Sequence, residues 1–434
     1  MHSILFLVPR MNGPKGDYKL NSSWDADLTN KMSMNRWQVI TPSVLLLAAI
    51  GRKEGFCVEI IDEEFRNLDP NKRYDIVCLY TVTPNAKRAY KIADHYQAIG
   101  SFVVIGGVHS LFMQEEAIFH CNTLMLGEGE YIFHQFLLDY KDGKTKKQYL
   151  QEAGTVDLKD SPIPYFEQLN KAEQKLIPVQ TARGCSHSCK FCNVKGLYGN
   201  KFRYKSCLQI TKELSEISKL PFATKIYITD DNIFSSYAHF QVLNLCFKNS
   251  PFQWYANTDI SFAKHESDIK LAYQSGLRQV LIGFESADES RLYQLDKDNF
   301  KYRYYSRYKE YIHKIQSNGI GVVGSFIVGN IEDTEDTFQY LEDFIYETKL
   351  YGASVTMATP YPGTALFEEM SKHKKILSLN WDDYTIFQPI LKGYHLSLER
   401  LNELYTQLLY KINSQEFMNN KIKYFTNIFK ELNL

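Results

Sequence analysis

The chain is 434 residues long, which exceeds one ordinary domain and predicts two or three. Its 50 basic and 50 acidic residues cancel, so no overall field draws nucleic acid or an anionic membrane to it. No apolar run approaches the ~20 residues of a membrane-spanning helix, and the run that ends at Pro9 is too short for a secretory leader. These properties predict a cytoplasmic protein that does not bind nucleic acid.

The first part of the chain alternates strand and helix signals. Helices are predicted over 42–53 and 87–99, and strands over 3–8, 58–62, 75–81, 102–105 and 123–126. Regular alternation of helices with apolar, β-branched strands predicts a doubly wound parallel sheet. Ligands of such sheets bind at the carboxyl ends of the strands.

Loops at those strand ends carry glycines and short polar residues. Glycine lets the backbone approach a bulky ligand closely, although a tight turn between strand and helix often needs glycine for its own geometry. We predict a ligand site at these ends, formed by Thr81, Val82, Thr83, Gly106, Gly107, His109, Gly127, Glu128 and Gly129.

A polar, lysine-rich stretch follows, and its Ser161-Pro162-Ile163-Pro164 segment cannot continue a helix. We place the domain boundary there. The predicted divisions are a first domain over 1–145, a linker over 146–175, a second domain over 176–370 and a mainly helical extension over 371–434.

A loop early in the second domain has three thiols at C-x3-C-x2-C spacing, at Cys185, Cys189 and Cys192. Three thiolates can hold three irons of a [4Fe-4S] cluster and leave the fourth iron open to a substrate or cofactor. Zinc is the alternative, but it prefers four tetrahedral ligands, and no matching Cys or His pair lies nearby, although His187 lies inside the loop. The other five cysteines, in apolar segments, are predicted to be buried thiols: Cys57, Cys78, Cys121, Cys207 and Cys246.

A second alternation of strands and helices begins with the strand that leads into this loop. Strands are predicted over 176–181, 225–229, 252–257, 279–284, 321–328 and 353–358. Helices are predicted between them over 210–219, 237–247, 264–273, 304–316 and 335–349. Six βα units are fewer than the eight of a closed barrel and predict a partial one.

Polar residues follow the second and fourth of these strands. Asp230, Asp231 and Asn232 could accept hydrogen bonds from an ammonium group or could cap a helix, and both roles suit these residue types. Glu285, which closes an apolar strand, is costly to bury unless it is hydrogen-bonded, so we predict that it binds a ligand together with Gly283 and Ser286.

The cysteine loop and the elements after it resemble the radical S-adenosylmethionine (SAM) family. The Gly106-Gly107 loop and segment 41–49 resemble the cobalamin-binding domain in front of many radical SAM enzymes. Closer still, segments 161–164, 178–185, 230–232 and 362–364 resemble the branch that contains the hopanoid methylases. The resemblance implies an N-terminal doubly wound cobalamin-binding domain, a partial (β/α)6 barrel and a short helical tail.

In that family the open iron binds the amino and carboxylate groups of SAM, and one electron cleaves the sulfonium to give a 5'-deoxyadenosyl radical. The branch implies cobalamin as well and methyl transfer to an unactivated carbon: one SAM methylates cob(I)alamin, and a second yields the radical that abstracts hydrogen. It also implies a small-molecule substrate and a flavodoxin- or ferredoxin-type electron donor.

The resemblance assigns roles to predicted site residues. It places Glu285 near the ribose or amino-acid end of SAM and Phe191 beside the adenine, where Phe191 could equally wedge the loop against the barrel. The glycine loops flank the corrin and its nucleotide tail. Because the chain lacks the Asp-x-His-x-x-Gly motif, His109 is predicted as a loop residue of that site rather than a cobalt ligand.

Other interpretations stay open. The protein could instead catalyse a cyclisation or rearrangement, or be a non-catalytic iron-sulfur redox sensor. The short tail makes a lipid substrate doubtful, and the long loop 11–41, with Trp24 and Trp37, is predicted to shape the pocket. Segment 301–309 interleaves bases with aromatics and is predicted to be a solvated helix, and the last helix allows at most peripheral membrane contact.

Overall fold

Two six-stranded parallel sheets form the framework of the structure. It is a computed structural model that describes residues 2–11, 20–21, 23–34, 39–169, 176–293, 295–296 and 298–432. Both sheets are covered by helices, as the sequence predicts for α/β units.

The first sheet has the strand order β2-β1-β3-β4-β5-β6, and every neighbouring pair is parallel. Its strands are β1 (Ser3–Val8), β2 (Cys57–Asp62), β3 (Ile76–Tyr80), β4 (Phe102–Gly106), β5 (Thr123–Leu126) and β6 (Gln148–Leu150). One helix, α1 (Ala26–Met34), lies in the long loop after β1. The other helices of this part of the chain are α2 (Pro42–Lys53), α3 (Ala86–Ala98), α4 (Val108–Phe112), α5 (Gln114–Ala117) and α6 (Gly129–Lys141). This order is that of a doubly wound fold with its switch point between β1 and β3.

Alternate residues of these strands belong to different cores, because successive side chains of a strand point to opposite faces. Phe6 and Val104 lie on the face covered by α2 and α6, and their core continues into the second unit. Leu7 and Val103 lie on the opposite face, under α3. The predicted doubly wound domain is confirmed.

The second sheet has the order β14-β13-β12-β11-β10-β7, also fully parallel. Its strands are β7 (Ile177–Val179), β10 (Lys225–Ile228), β11 (Gln253–Thr258), β12 (Leu277–Glu285), β13 (Gly321–Val328) and β14 (Gly352–Met357). A separate antiparallel pair, β8 (Ala182–Arg183) and β9 (Arg203–Tyr204), lies at the two ends of the segment that contains the cysteine loop. The predicted six-stranded partial barrel is confirmed, and the small antiparallel pair is additional.

Helices separate the barrel strands and continue into the C-terminal extension. They are α7 (Val194–Tyr198), α8 (Cys207–Ser218), α9 (Tyr237–Phe247), α10 (Glu266–Gln274), α11 (Glu289–Leu292), α12 (Phe300–Tyr304), α13 (Tyr308–Ser317), α14 (Glu335–Glu347), α15 (Ala365–Lys372), α16 (Leu398–Ile412) and α17 (Gln415–Glu431). The helix predicted over 304–316 begins only at Tyr308, because a 3-10 turn over Tyr305–Arg307 separates α13 from α12.

Two elements and one side chain differ from the predicted organisation. The edge strand β6 lies within the predicted linker, and α1 lies within the long loop 11–41. Trp24 of that loop packs on Phe387 and Tyr405 of the C-terminal extension, with ring centroids 5.4 and 6.0 Å away, and does not line a pocket. Trp37 lies outside the described residues.

The predicted buried thiols need two corrections. Cys78, Cys121 and Cys246 are buried, but Cys57 is exposed because it opens the edge strand β2. The half-buried Cys207 on α8 is joined to Cys246 on α9, with their Cα atoms 5.9 Å apart, because these helices pack side by side.

The C-terminal helices pack on the barrel. In α17, Phe425 and Ile428 are buried, whereas Ile422 is exposed. Among the described residues, no helix is both long and apolar enough to cross a bilayer.

Candidate functional site

The carboxyl ends of the barrel strands surround a cleft that opens to solvent. Cys185, Cys189 and Cys192 line it together with six further residues that the sequence predicts for the site: Phe191, Asp231, Asn232, Gly283, Glu285 and Ser286. Chain segments far apart in sequence thus meet at one edge of a parallel sheet, where ligands of such folds bind.

The cysteine loop is anchored at both of its ends. Gly184 has a φ of +100°, and a Cβ there would meet the carbonyl oxygen of Lys201 at 2.8 Å, so glycine is required. Its amide donates to Asp231 over 3.0 Å. Further along the loop, the Lys190 amide donates to the Leu295 carbonyl over 3.1 Å. The loop is therefore held by the barrel before any ligand binds.

The structure corrects the prediction for Asp230, which is buried and does not line the cleft. Its Oδ1 accepts hydrogen bonds from the amides of Thr181 and Ala182 at 2.6 and 2.9 Å, and its Oδ2 lies 3.1 Å from Nε2 of the buried His239. Both oxygens are occupied, so Asp230 fixes the chain that enters the cysteine loop. Asp and Asn pairs in a loop do not reveal which member faces the ligand.

Asp231 is the member that faces the cleft. Burial raises its pKa to about 6, and the Gly184 amide opposes this rise only in part. The neighbouring Asn232 donates its Nδ2 hydrogen to Oδ2 of Asp259 over 2.7 Å. The same oxygen lies 3.0 Å from Nε2 of His187, so the histidine inside the cysteine loop is engaged by a carboxylate. Although burial opposes it, hydrogen bonds from His187 and Ser261 hold the pKa of Asp259 below its usual range.

Glu285 has a φ of +67°, which is uncommon for a residue with a Cβ and typical of functional sites. Its Oε1 lies 3.0 Å from Nζ of Lys301, which also donates to the Gly283 carbonyl. A Cβ on Gly283 would lie 2.3 Å from Oε1 of Glu285, so the glycine makes room for this carboxylate. Although burial opposes the lysine charge, Glu285 holds the pKa of Lys301 above its usual range.

Lys301 is a cleft residue that the sequence interpretation missed. Segment 301–309 is predicted to be a solvated helix, but Lys301 belongs to α12, is 7% exposed and lines the cleft. Tyr308, Ile312 and Ile315 are buried on α13. No local pattern distinguishes a buried lysine from the basic residues around it.

The three thiols fit a cluster better than a single ion. Among the described residues, no three His, Cys, Asp or Glu side chains converge closely enough to hold one metal ion, as zinc would require. Three thiols spaced along one loop instead suit a [4Fe-4S] cluster, in which each binds a different iron. Burial raises the pKa of Cys189 to about 12, so iron binding must displace its proton.

A second cavity lies between the first sheet and helices α2 and α6. Its inner wall is apolar and consists of side chains on one face of the sheet, and its mouth consists of glycine loops. The predicted residues that line it are Gly106, Gly107, Gly127, Glu128 and Gly129. The inner wall, which the sequence interpretation missed, includes Phe6, Cys78, Val104 and Met125.

Gly107 shows why glycine is needed at the mouth. Its φ is +118°, and a Cβ there would lie 2.3 Å from the carbonyl oxygen of Thr81. Thr81 is thus in contact with this turn and donates its amide and hydroxyl hydrogens to the Gly106 carbonyl. Thr81, Val82 and Thr83 do not line the cavity itself.

His109 is the second correction, because it is neither in a loop nor in the cavity. It belongs to α4, is 1% exposed, and its Nδ1 lies 3.2 Å from the hydroxyl of Thr83. Its ring packs edge-on against Trp381 of the C-terminal extension at 5.1 Å. The turn at Gly107 starts a helix and directs this ring toward the opposite face of the sheet.

Comparison with known proteins shows which family and which enzymes this chain is similar to. Residues 179–345 match the radical SAM superfamily. A bacteriochlorophyllide d C-12(1)-methyltransferase of Chlorobaculum tepidum is 29% identical over 385 residues, which cover 87% of this chain and 83% of that protein. A hopanoid C-2 methylase of Rhodopseudomonas palustris is 25% identical over 228 residues, or 51% of this chain and 43% of its own.

Solved structures share the whole fold. The cobalamin-dependent radical SAM enzyme OxsB, solved with aqua-cobalamin and SAM, has a TM-score of 0.70 at 15% identity and covers 98% of this chain and 71% of its own. The radical SAM methyltransferase TsrM of Kitasatospora setae, solved with cobalamin and a [4Fe-4S] cluster, has a TM-score of 0.68 at 14% identity, with coverages of 96% and 90%. Residues 179–345, which include the three cysteines and most of the barrel around the open cleft, are thus similar to the radical SAM superfamily.

Proposed function

We propose that the protein is a cobalamin-dependent radical SAM methyltransferase that acts on an unactivated carbon. The observation that carries this proposal is the adjacency of two cavities. Arg183 lines the first, and Cys185, two residues later, lines the second. The relatives and the solved structures with methyltransferase or cobalamin in their names support it.

The first cavity fits cobalamin in shape and chemistry. Its apolar inner wall suits the flat base of the nucleotide tail, and the mouth at Gly106, Gly107 and Gly127 lets the backbone approach a macrocycle closely. When bound, cobalamin would supply the methyl group that is transferred. This chain's part is to hold the macrocycle at the sheet edge and to exclude water from the space beneath it.

The second cavity fits SAM beside a cluster on the three cysteines. We assign Asp231 to the ammonium group, because it faces the cleft as a carboxylate above pH 6. Lys301 and Glu285 together present one cation and one carboxylate to the carboxylate and ribose groups of SAM. Phe191 lies in the same cleft and is assigned to the adenine.

The substrate is assigned to the apolar part of the cleft that these ligands leave free. Ile327, Met357 and Met370 line it, and Ile386 of the C-terminal extension completes the wall. Ile386 has a φ of +65°, rare for a β-branched residue, and its carbonyl accepts the Met357 amide at 2.8 Å. A mainly apolar small molecule suits this lining, and hydrogen abstraction by a radical requires no acid or base from it.

The remaining assignments follow from this function. Radical SAM enzymes act on small molecules and take electrons from external donors, and we assign a flavodoxin- or ferredoxin-type protein as the donor. We place the protein in the cytoplasm, where such donors occur. We retain 176–370 as the barrel and 371–434 as the extension. The cobalamin-binding domain comprises 1–145 together with β6, which belongs to the first sheet although it lies within the predicted linker over 146–175.

Corrin binding tests the proposal directly. The protein is reconstituted anaerobically with iron, sulfide and hydroxocobalamin and passed through a gel-filtration column while corrin absorbance is followed. We expect corrin to co-elute with the protein near one equivalent. If corrin elutes only in the small-molecule fraction while 5'-deoxyadenosine still forms from SAM, cobalamin has no part in the reaction.

SAM affinity should depend on pH through Asp231. Because burial raises its pKa to about 6, the carboxylate that pairs with the SAM ammonium loses its charge as pH falls through that value. We expect the affinity to be constant above this value and to fall about tenfold per pH unit below it. The measurement is the SAM concentration that perturbs the electron paramagnetic resonance signal of the reduced cluster. Asp231→Asn should bind weakly at every pH, and a wild-type profile as flat as that of the variant would contradict this assignment.

A further inference from the structure

A buried ion cluster joins the two cavities. The guanidinium of Arg183, on β8, lies between two carboxylates of the first domain, with Nη1 2.7 Å from Glu128 and Nη2 2.6 Å from Glu130. The side chains are 6%, 1% and 3% exposed, respectively. The third nitrogen, Nε, donates to Oε1 of Gln180 over 2.8 Å. Every nitrogen of the guanidinium is therefore engaged.

Each carboxylate of this cluster has further partners. Arg203, on the paired strand β9, places Nη1 3.0 Å from Oε1 of Glu128. Ser161, in the segment between the domains, donates its hydroxyl to Oε1 of Glu130 over 3.1 Å. Although burial opposes it, the charge of Arg183 holds the pKa of Glu130 below its usual range. Four charged side chains from both domains thus neutralise one another away from water.

The residues of this cluster lie between the first cavity and the cysteine loop. Glu128 and Glu130 flank Gly129 at the start of α6, at the mouth of the first cavity, which they line together with Arg183. The barrel also contributes Leu197 and Tyr198 to that wall. The first cavity is therefore complete only when the barrel is docked, and the same arginine leads directly into Gly184 and Cys185.

We propose that Arg183 is a positioning residue that fixes the spacing between the cobalamin cavity and the iron-sulfur loop, an inference that rests on the proposed function. A guanidinium with two carboxylates has a fixed planar geometry, whereas an apolar contact of equal size would allow sliding. Buried ion pairs add little net stability compared with apolar packing, so geometry is the stronger reason for this arrangement. A misplacement of about 1 Å between reacting groups can cost about a hundredfold in rate.

Hydrogen exchange tests the coupling without any cofactor. Arg183→Lys keeps the positive charge but loses the planar guanidinium. Glu130→Gln removes the charge of one of its two carboxylate partners. In either variant we expect amides at the start of α6, in the other domain, to exchange about tenfold faster than in the wild type. Glu213→Gln is the matched control, because Lys205 and Glu213 form an equally buried ion pair, 4% and 3% exposed, within the barrel.

Product analysis on the reconstituted protein gives the second readout. We expect Arg183→Lys to retain iron and to form 5'-deoxyadenosine within about twofold of the wild type, while S-adenosylhomocysteine from methyl transfer falls at least about tenfold. The control should retain both products. Hydrogen exchange and product amounts that are unchanged in both Arg183→Lys and Glu130→Gln would overturn the proposal. An equal loss of iron and of both products would overturn it as well. Absence of corrin from the wild type refutes the proposed function instead, and the exchange experiment still decides the coupling.

Discussion

Replacement of Cys189 by alanine should abolish reductive cleavage of SAM. Cys189 lines the cleft between the other two cysteines and is held by a backbone bridge to Asp296, so alanine leaves one iron without a protein ligand at a fixed site. We expect 5'-deoxyadenosine to fall at least about a hundredfold and the iron content to drop with it. Both are measured after anaerobic reconstitution, with dithionite as reductant.

Cys121→Ala is the matched control for this experiment. Cys121 is equally a free cysteine but is 2% exposed in the first domain, and it lines neither cavity. The control should keep its iron and its 5'-deoxyadenosine. Cleavage by Cys189→Ala at more than about a tenth of the control rate would show that this thiol does not hold the cluster.

Val104→Phe should remove corrin binding and leave SAM cleavage intact. Val104 lies on the inner wall of the first cavity, so a phenyl ring there occupies the space assigned to the nucleotide tail. Overpacking of this kind costs about 1–3 kcal/mol, which corresponds to roughly tenfold to a hundredfold in affinity. The measurements are corrin retained after gel filtration, iron content and 5'-deoxyadenosine formed by the same sample.

Val242→Phe provides the comparison for that variant. Val242 is half-buried on α9, outside both cavities, so the same substitution there should leave corrin retention unchanged. Equal corrin retention by the two variants would show that the tail does not enter the first cavity. A loss of iron in Val104→Phe alone would show that the ring disturbs the barrel rather than the cavity.

The strands of the first sheet, the partial barrel and the cysteine loop are predictable from the sequence because each depends on a local pattern. Apolar runs between helical segments predict β1 and β4, and glycine after a strand predicts the turn at Gly107. The thiol spacing lies within one short loop. Strands of a parallel sheet share one carboxyl edge, so placing Glu285 and the cysteines on one rim follows from the topology.

Residues whose role depends on packing could not be placed in this way. Asp230 and Asp231 are adjacent and chemically equal, yet one binds the backbone at Thr181 and the other faces the cleft. Lys301 lines the cleft and pairs with Glu285, and nothing in the basic and aromatic segment around it distinguishes it from its exposed neighbours.

The ion cluster at Arg183 and the burial of His109 show a second limit. Arg183 forms ion pairs with Glu128 and Glu130, although Glu128 lies 55 residues earlier in the sequence. These contacts exist only because the two domains pack together. His109 contacts Trp381 of the C-terminal extension, which no local signal connects to the first sheet. Contacts of this kind depend on the relative placement of whole units, which periodicity and spacing do not encode.

The most direct test of methyl transfer through cobalamin counts the two products of SAM in one reaction, with and without hydroxocobalamin. The wild-type protein, its cluster, a reductant and SAM are incubated anaerobically, and 5'-deoxyadenosine and S-adenosylhomocysteine are quantified. We predict that 5'-deoxyadenosine forms in both reactions and that S-adenosylhomocysteine forms only when the protein contains the corrin. S-adenosylhomocysteine that is absent, or present in equal amounts without the corrin, would contradict methyl transfer through the first cavity.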